Sequence, residues 1–96
     1  MTYTELTDAL VVLGLGERAT LKDIKARHRE LVKRHHPDAG NSGDPDAIRK
    51  VNAAYRVLQD YLTEYQFSFA EEEFYEQNAE ERIRHQFMDD PLWGKG

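Results

Sequence analysis

Cysteine is missing from this 96-residue chain. A disulfide framework and a thiolate metal site are therefore both excluded, which suits a reducing compartment. Long apolar runs are missing as well: the longest, Ala9 to Leu13, is far too short to cross a bilayer. Thr2, Thr4, Glu5 and Asp8 stand where a secretory leader would carry basic and then apolar residues. Together these absences predict a cytoplasmic protein without a membrane span. No internal repeat and no low-complexity segment interrupts the chain. What is present is a globular balance, 40% apolar and 32% charged, in a length that favours one small domain with its core drawn from a few helices.

The net charge is −5, but its distribution is more informative than its sum. Between Arg18 and His36 the basic residues are Arg18, Lys22, Lys25, Arg27, Arg29, Lys33 and Arg34, opposed only by Asp23 and Glu30. From Glu64 onward the acids are Glu64, Glu71, Glu72, Glu73, Glu76, Glu80, Glu81, Asp89 and Asp90, opposed by Arg82, Arg84 and Lys95. A cationic stripe on an acidic chain points to an acidic protein partner ahead of a nucleic acid.

Helical periodicity organises the chain. Leu6, Ala9, Leu10 and Leu13 share one face of a first helix over about Thr4 to Leu13, which Gly14 and Gly16 stop. Thr20-Leu21-Lys22-Asp23 reads as a capping box that opens a second helix running to about His35. On it, Ile24, His28, Leu31 and His35 share one face, with Val32 at its edge, while Lys22, Lys25, Arg29 and Lys33 share another. Asp44 and Pro45 suit the N-cap and first turn of a third helix. Its seam of Ile48, Val51, Tyr55, Leu58, Leu62 and Tyr65 is expected to pack on the second helix as an antiparallel hairpin. Gly40, Asn41, Ser42 and Gly43 supply the connecting loop. Ser68-Phe69-Ala70-Glu71 resembles another capping box, predicting one acidic, aromatic helix to about Met88 and then a turn at Asp89-Asp90-Pro91-Leu92-Trp93.

The hairpin tip holds His35-His36-Pro37-Asp38, an imidazole and a carboxylate on either side of a rigid corner. Taken alone, X-Pro-Asp is common turn chemistry, and that bland reading deserves about half the weight or more. A metal site is weaker, because His28, His35, His36 and Asp38 include no ligand pair at helical i, i+4 spacing. Asp38 to Asp46 also lacks the order of a calcium loop. Hydrolysis would need a nucleophile in a pocket, and Ser42, the one serine nearby, sits in a Gly-rich loop. No catalytic residue, metal or cofactor is therefore expected. Nucleic-acid binding by the basic helix ranks second, weakened by the acidic total, by Glu30 and by the lack of an aromatic platform among the cations.

The order of parts is more specific than any one of them. Leu13-Gly14-Leu15, Ala19-Thr20-Leu21-Lys22-Asp23-Ile24-Lys25, His36-Pro37-Asp38 and Asn52-Ala53-Ala54-Tyr55-Arg56-Val57-Leu58-Gln59-Asp60 together resemble the J domain of DnaJ-type co-chaperones, over about Thr4 to Asp60. The resemblance implies an all-α domain that docks on a DnaK-type chaperone of the heat-shock-protein-70 class and stimulates its ATP hydrolysis. His36, Pro37 and Asp38 match the tripeptide on which stimulation depends, and Lys25 and Arg29 match basic positions of the docking helix. Lys22 and Lys33 join them by helical projection. A J-like scaffold that binds without stimulating is a further alternative.

This sequence departs from the family pattern in four places on the second helix. His28 stands for a usual tyrosine, His35 for a common aromatic, Glu30 for a frequent basic residue and Arg27 for a small one. The usual Lys-Arg-x-x-Tyr-Asp fourth helix is replaced by the acidic segment, and no Gly/Phe-rich linker or zinc module is present. The resulting expectation is a monomer with a J domain over residues 1–66 and an extension over 67–96 packed on it. Phe67, Phe69, Phe74, Phe87 and Trp93 would then complete the core. The competing reading lays the acids of the extension over the basic helix as a brake on docking.

Overall fold

The computed structural model describes residues 1–36 and 43–89; Pro37, Asp38, Gly40, Asn41, Ser42, Pro91, Leu92 and Trp93, all singled out above, lie outside them. The described residues are helical, with no strand among them: α1 Tyr3–Leu13, α2 Leu21–His35, α3 Pro45–Thr63, α4 Glu71–Gln77 and α5 Ala79–Asp89. They fall into two units, Met1–Tyr65 and Gln66–Gly96.

In the first unit each helix begins where a side chain can accept from an unpaired backbone N–H. Thr2 caps α1 by accepting from the Glu5 N–H at 3.1 Å. Thr20 and Asp23 form the expected capping box of α2: the Asp23 N–H donates to Thr20 Oγ1 at 3.0 Å and the Thr20 N–H to Asp23 Oδ2 at 3.1 Å. Asp44 caps α3 through the Ala47 N–H at 3.1 Å, with Pro45 in the first turn. Gly14 ends α1 in the left-handed region at φ 66°, and the Leu15 N–H then reaches back to the Leu10 carbonyl at 2.9 Å. That is the Schellman closure, which a side chain at Gly14 would strain.

Packing follows the periodicity. Ala9, Leu13, Ile24, Leu31, Val51, Ala54 and Leu58 are the buried core, with Leu13 fully enclosed. Leu6, Leu10, Leu15, Val32, Tyr55, Val57 and Leu62 pack around it. The α3 seam differs from expectation in two respects. It packs on α1 as well as α2, so its apolar stripe is wider than a two-helix seam and takes in Ala54. Tyr65, just past the end of the helix, is exposed. α2 and α3 do form the antiparallel hairpin: the Asp44 N–H donates to the His35 carbonyl at 2.9 Å, while His28, two turns back along α2, meets Asn52 and Tyr55, further along α3.

The second unit departs from the expected single helix. Ser68 is not an N-cap; its Oγ accepts from the Ala70 N–H at 3.3 Å, and α4 starts at Glu71 with no side-chain cap. The helix also breaks at Asn78, whose φ of −130° and ψ of 73° are not helical. The Asn78 side-chain amide and its backbone N–H both donate to the Phe74 carbonyl at 2.9 Å, while its own carbonyl accepts from Glu81 and Arg82. A short polar side chain that bonds the carbonyl four residues earlier thus ends one helix, while the residue's own carbonyl opens the next. Phe74 meets Tyr75 edge-on at 5.2 Å between ring centroids, and Tyr75 stacks on His85 at 5.2 Å. Phe67, Phe69, Phe74 and Phe87, expected in the core, are exposed, and among the described residues every buried one belongs to the first unit.

Candidate functional site

The basic helix is built so that its cations and its hairpin contact share one surface. Lys25, Arg29 and Lys33 recur every fourth residue, one above another on the same side of α2. Beside them runs an open groove of about 770 Å³ lined by Lys25, His28, Arg29, Val32, Lys33, His36 and Tyr55. No carboxylate lines it among the described residues. Lys22, one turn nearer the start of the helix, lies outside that lining.

The floor of the groove is where α2 meets α3. The His28 ring stacks on Tyr55 with centroids 3.9 Å apart and planes 7° from parallel. His28 Nε2 lies 2.8 Å from Asn52 Oδ1; with the amide oxygen as acceptor, Nε2 carries the proton and donates. His28 is thus a half-buried group that links the hairpin, where its position on the inner face of α2 had indicated packing. Asn52 was missed by the sequence reading. Its three-residue spacing from Tyr55, which puts the two on one face of α3, was the available signal.

At the open end, His36 is the C-cap of α2, in extended backbone at φ −73° and ψ 136°, and exposed. That conformation is the one a residue before proline favours. Pro37 and Asp38, which complete the expected tripeptide, lie outside the described residues. His35 is half-buried, and its carbonyl closes the base of the loop by accepting from Asp44.

The two odd charges of α2 have a structural partner set. Arg27 Nε donates to the Leu13 carbonyl at 3.0 Å, tying α2 to the end of α1. Glu30 pairs with Arg27 and, at 3.2 Å, with Arg34. Glu30 therefore pairs with cations outside the groove and, among the described residues, leaves no carboxylate beside Lys25, Arg29 and Lys33 there. The capping box of α2 sets the Asp23 carboxylate against Thr20. Hydrogen bonds from the Thr20 backbone and then from the Thr20 hydroxyl hold its carboxyl below the usual 3.8. Among the described residues there is no cluster of His, Asp and Glu able to hold a metal ion, and no helix is long and apolar enough to cross a membrane.

Comparison with known proteins adds a family to this geometry. The family model described as the DnaJ domain matches residues 8–66. A protein of Sinorhizobium described as an uncharacterized 19.0 kDa protein is 49% identical over 53 residues, covering 53% of this chain and 31% of that protein. The chaperone protein DnaJ of Ureaplasma parvum is 43% identical over 53 residues, covering 55% of this chain and 14% of that one. Chaperone protein dnaJ 50 of Arabidopsis thaliana is 31% identical over 96 residues, covering 93% of this chain and 31% of that one. The chain thus spans a third or less of the length of these relatives. No solved structure matches it.

Proposed function

The chain belongs to the DnaJ-domain family, matched over residues 8–66, and from that premise we propose that it is a co-chaperone that docks on a DnaK-type chaperone and stimulates its ATP hydrolysis. One observation carries the reading: Lys25, Arg29 and Lys33 line the same groove as His36, with no described carboxylate among them. A surface of that kind steers an acidic patch into register at a rate that salt screens. Lys22 extends the stripe toward the start of α2 and contributes to steering alone. His36, Pro37 and Asp38 form the contact that shifts the chaperone toward its hydrolysis-competent state. All nucleotide chemistry then stays in the partner, with no cofactor or catalytic residue in this chain. Residues 1–66 are the docking domain, and 67–96 are an extension of it.

The test is single-turnover ATP hydrolysis by a DnaK-type chaperone with the wild-type chain and with His36→Gln. Stimulation by the wild type that the substitution abolishes is the expected result. Docking without stimulation would make the chain a scaffold, and absence of docking with a salt-sensitive shift of nucleic acid would move the basic helix to that ligand.

A further inference from the structure

The groove is lined by two side chains whose type can gain or lose charge near neutral pH, His28 and His36, and His28 is the one at the helix contact. We propose that docking on the acidic partner is coupled to uptake of a proton at His28, so that association strengthens as the pH falls from about 8 to about 6. This rests on the docking reading above and names the regulation of the same surface.

The geometry supplies each step. His28 lies among Lys25, Arg29, Lys33 and His36 of its own helix and faces Tyr55 and Asn52 of α3. The described lining of the groove carries permanent cations and no carboxylate. Glu30, the acid nearest in sequence, is held by Arg27 and Arg34. An acidic partner laid in the groove reverses that balance, because it neutralises the permanent cations and gains from one more.

The bound state therefore favours protonated His28, and by reciprocity protonated His28 favours the bound state. The ring can take the charge without moving. Its Nε2–H donates to Asn52 in both protonation states, the second proton goes to Nδ1, and a flat cation 3.9 Å over the Tyr55 ring is a favourable stack. The pH response is thus one of charge at fixed shape, on the one side chain type whose ordinary titration spans this range.

Titration calorimetry of the full chain against a DnaK-type chaperone in its ATP state, at pH 6.2 and pH 7.8 and constant ionic strength, tests this. Two buffers of different ionisation heat count the protons taken up. The wild type is expected to bind about three- to tenfold tighter at the lower pH, within the limit of tenfold per pH unit that one proton allows. His28→Tyr keeps an aromatic ring at the Tyr55 contact and removes the group that takes up a proton in this range. At whatever affinity it retains, it is expected to lose that part of the pH dependence and proton uptake, while contributions from His35, His36 and the chaperone persist. An unchanged pH dependence in His28→Tyr overturns the proposal.

Should His28→Tyr prove unfolded by its thermal midpoint, or fail to dock, Asn52→Asp replaces it. A carboxylate there holds the proton on His28 before docking, so proton uptake on binding falls; undiminished uptake overturns the proposal. Absence of wild-type docking at both pH values overturns the docking reading and this inference with it, whereas docking without pH dependence overturns this inference alone.

Discussion

Leu13 closes α1 at a point where three helices converge, with no exposed surface of its own. Its carbonyl accepts from Arg27 Nε, so side chain and backbone of one residue anchor α1 to the rest of the unit. Leu13→Ala is expected to destabilise the chain by about 2–5 kcal/mol, because it loses the transfer free energy of the leucine and leaves a cavity the surrounding helices cannot fill. For a unit of this size that is a large share of the total. A lowered denaturant midpoint with an unchanged slope checks it. Arg27 shows how a departure from a family pattern acquires a reason: a small residue at that position could not reach the Leu13 carbonyl. A Cβ added at Gly14 would stand 2.9 Å from Arg27 Nη2, which that flexible side chain could relieve, but the φ of +66° would strain it regardless.

At the scale of the element, the start of α2 matters more than its length, because it sets the phase in which Lys25, Arg29 and Lys33 emerge. The capping box does this with an exposed carboxylate, Asp23, whose hydrogen bonds from Thr20 lower its titration below 3.8. A carboxyl lowered in the folded state contributes stability that is present above its unfolded value and is lost as the pH falls through the folded one. Wild-type helicity should therefore decline in acid with a component centred below the ordinary aspartate range. Asp23→Asn should remove that component and lower stability at neutral pH, as circular dichroism from pH 7 to pH 2 would show. The same logic of local caps explains the second unit, where Asn78 bonds the Phe74 carbonyl and divides what apolar spacing alone describes as one helix.

At the scale of the molecule, the buried residues among those described all lie in Met1–Tyr65. A chain ending after Tyr65 is therefore expected to keep its cooperative unfolding and helical α1–α3 content. Loss of folding in that truncation, measured by thermal denaturation, would return Phe67, Phe69, Phe74 and Phe87 to a structural role. Should the truncated chain fold and bind a DnaK-type chaperone more tightly than the whole, the acids of the extension act as a brake on docking.

Helix existence and polarity were legible in the residues, since Thr20, Asp44, Pro45 and Gly14 act through backbone groups within a few positions of themselves. The cationic stripe was equally legible, being a consequence of spacing on one helix. Local chemistry has short range, and that is why it can be read along a line. Three features needed the folded chain. His28 came to rest on Tyr55 and Asn52, 24 or more residues away, because α2 and α3 run antiparallel from a closed loop. Glu30 was withdrawn from the groove by Arg27 and Arg34. α3 took α1 as well as α2 for its neighbour, since an apolar stripe records that it is buried but not against which helix. Periodicity names a face; only the packing of helices distant in sequence gives that face its partners.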